Sequence, residues 1–351
     1  MIRYFKLILI IIKSSLRLKF KGILRGRYFA GVEFYNKKNI VVNENSWIEP
    51  GSRLLVTDPI KIEANIYIEE KCWIGRDVEI QTNYGSKIAV KKNVSIQDRC
   101  KILGSVHIGQ DSLLAPDVFL SSGNHYYDYH PELLIKQQDK LLVGFKEGFM
   151  SKNSPIVIEE DCWIGKNSLV MQGVNIGRGA IIGANSFVNK NVPPYEIWAG
   201  SPAKFVKKRL AFKPPLEIQS GKVENKPYFY RGFDHSDNGE NGFLSDDSSL
   251  CLLAPSNSNS LFLSGEIYVE GELKIWANEN LIYNNTVIPG KFSELLVLRR
   301  TLNHHISSCL YQESPDNIRQ FLCIVFEFKH DQPKKLKGFS INRIEQNDKS
   351  N

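Results

Sequence analysis

His125 is the ionisable side chain best placed for chemistry. It follows Asn124 and precedes Asp128 by three residues in the stretch Ser121-Ser-Gly-Asn-His-Tyr-Tyr-Asp-Tyr-His-Pro131. An imidazole exchanges its proton near pH 7 without tuning, so a histidine on a polar loop suits general acid–base work. The six cysteines include no C-x-x-C pair, which argues against a disulfide scaffold or a zinc ribbon and for reduced thiols in a cytoplasm.

The elements that must position His125 are written in a six-residue period. Aliphatics recur at Ile158, Ile164, Val170, Ile176, Ile182 and Val188, and again at Val90, Ile96, Ile102, Ile108, Leu114 and Leu120. A third train runs Ile62, Ile68, Ile74 and Ile80, with Val42, Ile48 and Leu54 as a weaker start. Six fits neither the 3.6 spacing of an amphipathic helix nor simple strand alternation. It fits a three-faced coil in which each face is one short strand and a tight corner, with each rung burying its aliphatics against the next. Residues from about 40 to 192 therefore read as a parallel β-helix of roughly eight rungs. Small residues such as Cys162, Ser168, Ala180 and Ser186 follow four places after an aliphatic, beside the corner. Cys72 and Cys162 occupy that position in a repeated Ile-Glu-Glu-x-Cys-Trp-Ile-Gly segment, which marks them as packing residues and not nucleophiles. Gly75, Gly109, Gly165, Gly177 and Gly183 directly follow aliphatics, where unusual backbone angles are expected. Between Leu120 and Ile158 the period fails, and a long loop expelled from a regular solenoid is usually functional.

Three motifs together resemble a known family. They are His125 at the mouth of such a loop, Cys162-Trp-Ile-Gly165, and Val192-Pro-Pro-Tyr-Glu-Ile-Trp-Ala-Gly-Ser-Pro-Ala-Lys204. Over about residues 40–210 the chain resembles the left-handed β-helix, hexapeptide-repeat acyltransferases, and more narrowly their maltose/galactoside and polysaccharide O-acetyltransferase branch. The resemblance implies that His125 deprotonates a sugar hydroxyl attacking the thioester of acetyl-CoA, with backbone N–H groups steadying the oxyanion. It places acetyl-CoA in a groove between subunits of a homotrimer and carries its contacts onto Lys166, Ala184, Asn189, Lys190, Lys204 and Lys207. Lysines there have a physical reason to serve, because CoA brings a diphosphate and a 3′-phosphate. Around the acceptor it points to Asn124 and Asp128, and to Ser95 with Asp98, where the branch has an asparagine. Glu147 stands for the branch's glutamate, at a longer spacing to Pro155. No metal is implied.

The net charge of +7 sits on one arm: residues 1–27 hold eight basic and no acidic side chains, and the remaining 324 hold 37 basic and 38 acidic. A nucleic-acid surface would spread its charge over a folded face, so no nucleic-acid partner is expected. The apolar run Leu7–Ile12 is too short to span a bilayer. Residues 1–30 are expected to form a basic amphipathic helix that rests on the cytoplasmic face of the inner membrane or caps the β-helix. A cleaved signal is the third reading, for which Ser14-Ser-Leu-Arg17 is a poor cleavage site. The acyltransferase domain is then 31–213, closed by a short basic helix over Lys204–Lys213, and Pro214-Pro215 marks its end. Beyond, strand-length runs separated by Gly, Asn and Asp predict an all-β sandwich over 216–351. It looks like the sandwiches appended to some bacterial glycan enzymes, which implies glycan binding or oligomerisation. The combined expectation is an enzyme that O-acetylates a sugar of a surface polysaccharide, lipopolysaccharide or capsule precursor. The alternatives are N-acyl transfer to an amino-sugar nucleotide, a non-catalytic scaffold, and a carbonic-anhydrase-like zinc enzyme using His107, one rung before His125, with His125 and His130.

Overall fold

The computed structural model describes residues 25–57, 64–83, 86–143, 154–235, 239, 242–254, 256, 258–278, 280–298, 321–330 and 338–347. The expected N-terminal helix and Glu147 lie outside these residues, apart from the last positions of the arm. The chain divides into two compact units, the change falling between Ala211 and Phe212.

The first unit is a parallel β-solenoid. Residues 18 apart in an uninterrupted stretch pair in register: Ile96 lies under Leu114, Ile102 under Leu120 and Val90 under Ile108, while Ile74 and Ile80 lie under Ile96 and Ile102 across a longer turn of 22 residues. Three parallel sheets result, with their inward aliphatics stacked into one column. Every described aliphatic of the three trains is buried, as a shape that hides only one residue in six per face requires. The serines of the small positions also tie coils together: Ser46 donates to the Glu69 carbonyl at 2.6 Å, Ser52 to Gly75 at 2.7 Å and Ser112 to Glu159 at 2.8 Å. Cys72 and Cys162 are buried there, and burial pushes the Cys72 thiol up to about 12 and the Cys162 thiol up as well.

The sequence reading needs four corrections in this unit. Among the described residues pairing begins at Arg27–Tyr28, earlier than residue 40, and the first face stacks eight parallel strands, the number of rungs expected. The glycines after the aliphatics do not supply the unusual backbone angles. Those fall two residues later, at Lys71, Asp77, Arg99, Asp111, Asp117, Asp161, Asn167 and Asn185, all with φ between 55° and 65°. The glycines are there because coils approach closely: a Cβ on Gly109 would lie 2.4 Å from the Glu159 carbonyl carbon, and one on Gly165 2.6 Å from the Ala184 nitrogen. The expected closing helix is instead a strand, Lys204–Lys208, antiparallel to Glu196–Ala199. Phe205-Val206 favours extended backbone, and the Pro194–Pro202 segment returns the chain as a hairpin. Last, His107 pairs in register with Ala89 and Val157, not with His125, because the chain leaves the coil after Ser121.

Among the described residues the excursion carries one α-helix, Ile135–Val143, where the sequence reading expects loop. Its Lys, Gln and Leu are good helix formers with no glycine or proline among them. Among the described residues of the second unit, nine antiparallel strands form one array. Phe243–Leu253 joins its two halves, its first residues pairing with Phe339–Asn347 and its last with Leu322–Lys329. Alternation along Ser260–Ile267 sends Leu261, Leu263 and Ile267 into a core with Phe229, Phe243, Phe326 and Phe339.

Candidate active site

His125 lies just past the end of the second-face strand Phe119–Ser121, where the coil opens. Its ring Nδ1 stands 2.8 Å from Oδ2 of Asp139, just over one turn into the helix Ile135–Val143. The other carboxylate oxygen, Oδ1, accepts the Tyr126 N–H at 2.9 Å. An ionised carboxylate only accepts, so Nδ1 carries the proton and Nε2 is left as an acceptor. Burial works against the Asp139 carboxylate, yet the Tyr126 N–H and the His125 ring outweigh it and hold the carboxyl below its ordinary value. The histidine side chain is 79% exposed. One nitrogen is thus anchored and the rest of the ring is open to a substrate, the arrangement of a base held by an orienting acid.

Asp139, which the sequence reading does not single out, is the partner of the candidate base. It is fourteen residues from His125 and meets it only because the intervening chain turns back as a helix. That return is itself pinned. Gln138, 1% exposed, accepts the His130 N–H at 3.1 Å and donates to the Leu133 carbonyl at 3.1 Å.

The other expected residues divide. Asn124 is beside the base, its Oδ1 accepting the His125 N–H at 2.9 Å. Asp128 is exposed on the same segment. Ser95 sits on the first face between Trp73 and Leu113, its hydroxyl accepting from the Gln97 side chain at 3.0 Å. Asp98 is engaged by Arg76, taking its N–H at 2.9 Å and its guanidinium at 2.7 Å and 3.1 Å, and the backbone contact leads in holding the carboxyl below its usual range. Those bonds tie one coil to the next.

Of the residues carried over for acetyl-CoA, Ala184 lies against Gly165 of the preceding coil, and Asn189 and Lys190 are exposed after Phe187–Val188. Lys166 lies 3.8 Å from Asp117, which Arg99 already grips. In the closing hairpin a bulge at Ile197/Trp198 opposes Lys207 to Ile197 and Lys204 to Ala199. Since Ile197 and Ala199 point to one side of their strand, Lys204 and Lys207 share that side. No carboxylate among the described residues pairs with Lys190, Lys204 or Lys207. His130 spends its Nδ1 on Glu132 at 3.0 Å, and among the described residues no three His, Cys, Asp or Glu side chains gather as a metal site. No helix of the described residues is long and apolar enough to cross a membrane.

Part of the coiled unit matches a family model and several known proteins. Residues 155–190 match the family model described as a hexapeptide repeat of succinyl-transferase. A Lysinibacillus sphaericus protein named as a macrolide acetyltransferase is 60% identical over 55 residues, 16% of this chain and 31% of that protein. The WbbJ protein of Escherichia coli (strain K12), named for lipopolysaccharide biosynthesis O-acetyl transfer, is 35% identical over 118 residues, 33% of this chain and 58% of that protein. A Vibrio cholerae hexapeptide-repeat acetyltransferase, solved with acetyl coenzyme A, is 26% identical with a TM-score of 0.32 over 41% of this chain and 70% of its own. The chain spans about a third to three fifths of the length of the curated relatives it matches. Over the stretches they match, the six-residue coils of this chain are similar to those of hexapeptide-repeat acetyltransferases.

Proposed function

We propose that the protein moves an acetyl group from acetyl-CoA to a sugar hydroxyl of a bacterial surface polysaccharide, lipopolysaccharide or capsule precursor. The observation that carries this reading is the His125–Asp139 pair at the opening of the coil. With Asp139 fixing the Nδ1–H tautomer, His125 Nε2 takes the proton from the acceptor hydroxyl as it attacks the thioester carbonyl. The same proton returns from His125 to the departing thiolate, so the ring ends as it began. Backbone N–H groups of the neighbouring coil meet the developing oxyanion.

Lys190, Lys204 and Lys207 suit the phosphates of acetyl-CoA, being exposed cations without a carboxylate partner among the described residues, two of them on one side of the closing hairpin. Lys166, Ala184 and Asn189 lie on or between the last coils and would contact the rest of the molecule. Asn124 and Asp128 would hold the acceptor beside the base. Ser95 joins them more weakly, and Asp98 acts through Arg76. The name of the Escherichia coli relative supports the glycan class. Assembly as a homotrimer, cytoplasmic residence and contact of residues 1–27 with the inner membrane belong to the same reading, as does a glycan-positioning or assembly role for the second unit.

The test is isothermal calorimetry with acetyl-CoA on the wild type and on His125→Ala, alongside turnover with glycan acceptors. Binding retained with turnover reduced by orders of magnitude in His125→Ala is the expected result. Failure of the wild type to bind millimolar acetyl-CoA defeats the proposal.

A further inference from the structure

The segment after His125 is built to hold aromatic rings out of the core. Tyr126 is buried, its N–H fixed to Asp139, while Tyr127 and Tyr129 on either side of Asp128 are 56% and 62% exposed. The far end is fixed as well, by the bond from the His130 N–H to the buried Gln138 side chain. Both anchors stand on the same helix, Ile135–Val143, so the stretch between them is tethered at both ends to one rigid element. Tyr129 also sets its ring edge-on to His130, with centroids 4.9 Å apart. Two tyrosines in a tethered segment lose little freedom when they meet a ligand, which is what favours a binding surface.

We propose that Tyr127 and Tyr129 are the platform on which the pyranose ring of the acceptor lies beside His125. This rests on the acetyl-transfer reading above and names the residues that choose its acceptor. A pyranose has an apolar C–H face and a rim of hydroxyls. A tyrosine answers both, with an apolar ring and a polar tip. Along this segment the two rings are interleaved with Asn124, Asp128 and Glu132, so apolar faces alternate with hydrogen-bonding groups. Tyr127 begins at most about 7 Å of chain from His125 and Tyr129 about 14 Å. Both tyrosines thus stand on the short segment that carries His125. Exposed Leu134, Ile135 and Leu141 on and before the helix add apolar surface to the same loop. Both tyrosines are more than half exposed, so replacing them does not disturb the core.

The experiment is saturation-transfer NMR on the full chain with methyl α-D-glucopyranoside and methyl β-D-galactopyranoside as probes. It is run on the wild type, Tyr127→Ala/Tyr129→Ala and Tyr127→Phe/Tyr129→Phe, with acetyl-CoA calorimetry on each. Expected is transfer to the C–H protons of at least one probe, weakened tenfold or more in the alanine variant and kept in the phenylalanine variant, with acetyl-CoA affinity unchanged. Transfer that survives the alanine variant, or no transfer to either probe from the wild type, overturns the platform. A wild type that holds a probe through the tyrosines but binds no acetyl-CoA upholds the platform and overturns acetyl transfer, which separates the two failures.

Discussion

In the proposed acetyl transfer, the chemistry at His125 turns on which ring nitrogen faces the acceptor. Asp139 decides it by accepting from Nδ1, while its second oxygen is occupied by the Tyr126 N–H. Asp139→Asn keeps the shape, but its amide can donate, which permits the wrong tautomer. We expect kcat to fall by about 10²- to 10⁴-fold with the KM for acetyl-CoA nearly unchanged, as steady-state kinetics would show. His125→Ala should cost at least as much, and the double variant little more than the worse single one, because the two act as a unit. The pH dependence follows from the lowered Asp139 carboxyl. A carboxyl depressed on folding gives its stabilisation in full above its unfolded value near 3.9, and loses it as pH falls through the lower folded value. Proteolytic nicking within residues 121–143 should therefore be constant from about pH 5 to 9 in the wild type and rise only below about pH 4. Asp139→Asn should be nicked faster throughout. Greater nicking of the wild type already at pH 6 would show that another group holds the loop. His125 was legible in the sequence because it stands where the hexads fail. Asp139 was not, since only the helical return brings a residue fourteen places on back to the ring.

At the level of elements, six-residue periodicity translates directly into stacked strands, so the solenoid and its buried aliphatics could be read before any coordinate. What periodicity leaves open is why a given residue is small. Gly109 and Gly165 are needed because a neighbouring coil lies where their Cβ would be, and the left-handed corners fall on Asp, Asn, Lys and Arg two places later. This distinction is testable by opposite substitutions. Gly109→Ala meets backbone that cannot yield and should destabilise the solenoid by about 1–3 kcal/mol in denaturant unfolding. Lys71→Gly, at φ 61°, removes left-handed strain and should be neutral or stabilising by up to about 1 kcal/mol. If instead Gly109→Ala were silent, close coil contact would not be the reason for the glycine. The closing strand shows the limit of reading charge. Lys204–Lys208 looks like a basic helix by composition, yet its hairpin partner Glu196–Ala199 decides its form.

Across the whole molecule, charge is the property that links the arm, the closing hairpin and the proposed substrate. The chain beyond residue 27 is almost neutral, so an anionic substrate meets local lysines and no general positive field. Lys204 and Lys207 are exposed and set on one side of the hairpin by its bulge. Exposed charges are screened over about 8 Å at physiological ionic strength, which makes their share of the affinity salt-dependent. Replacing both by glutamate should weaken acetyl-CoA about 10- to 100-fold at low salt, on the scale of two charge-assisted contacts. The gap between wild type and variant should then narrow as salt rises from 20 mM toward 500 mM, roughly the range in which the Debye length shrinks below a side-chain contact. Calorimetry at two salt concentrations measures both effects in one series. A variant that binds acetyl-CoA as the wild type does would move the phosphates away from this hairpin, leaving Lys166 and Lys190 as the cations to test. A loss that did not depend on salt would mean that the substitutions act through the fold of Lys204–Lys208 and its pairing with Glu196–Ala199, not through charge.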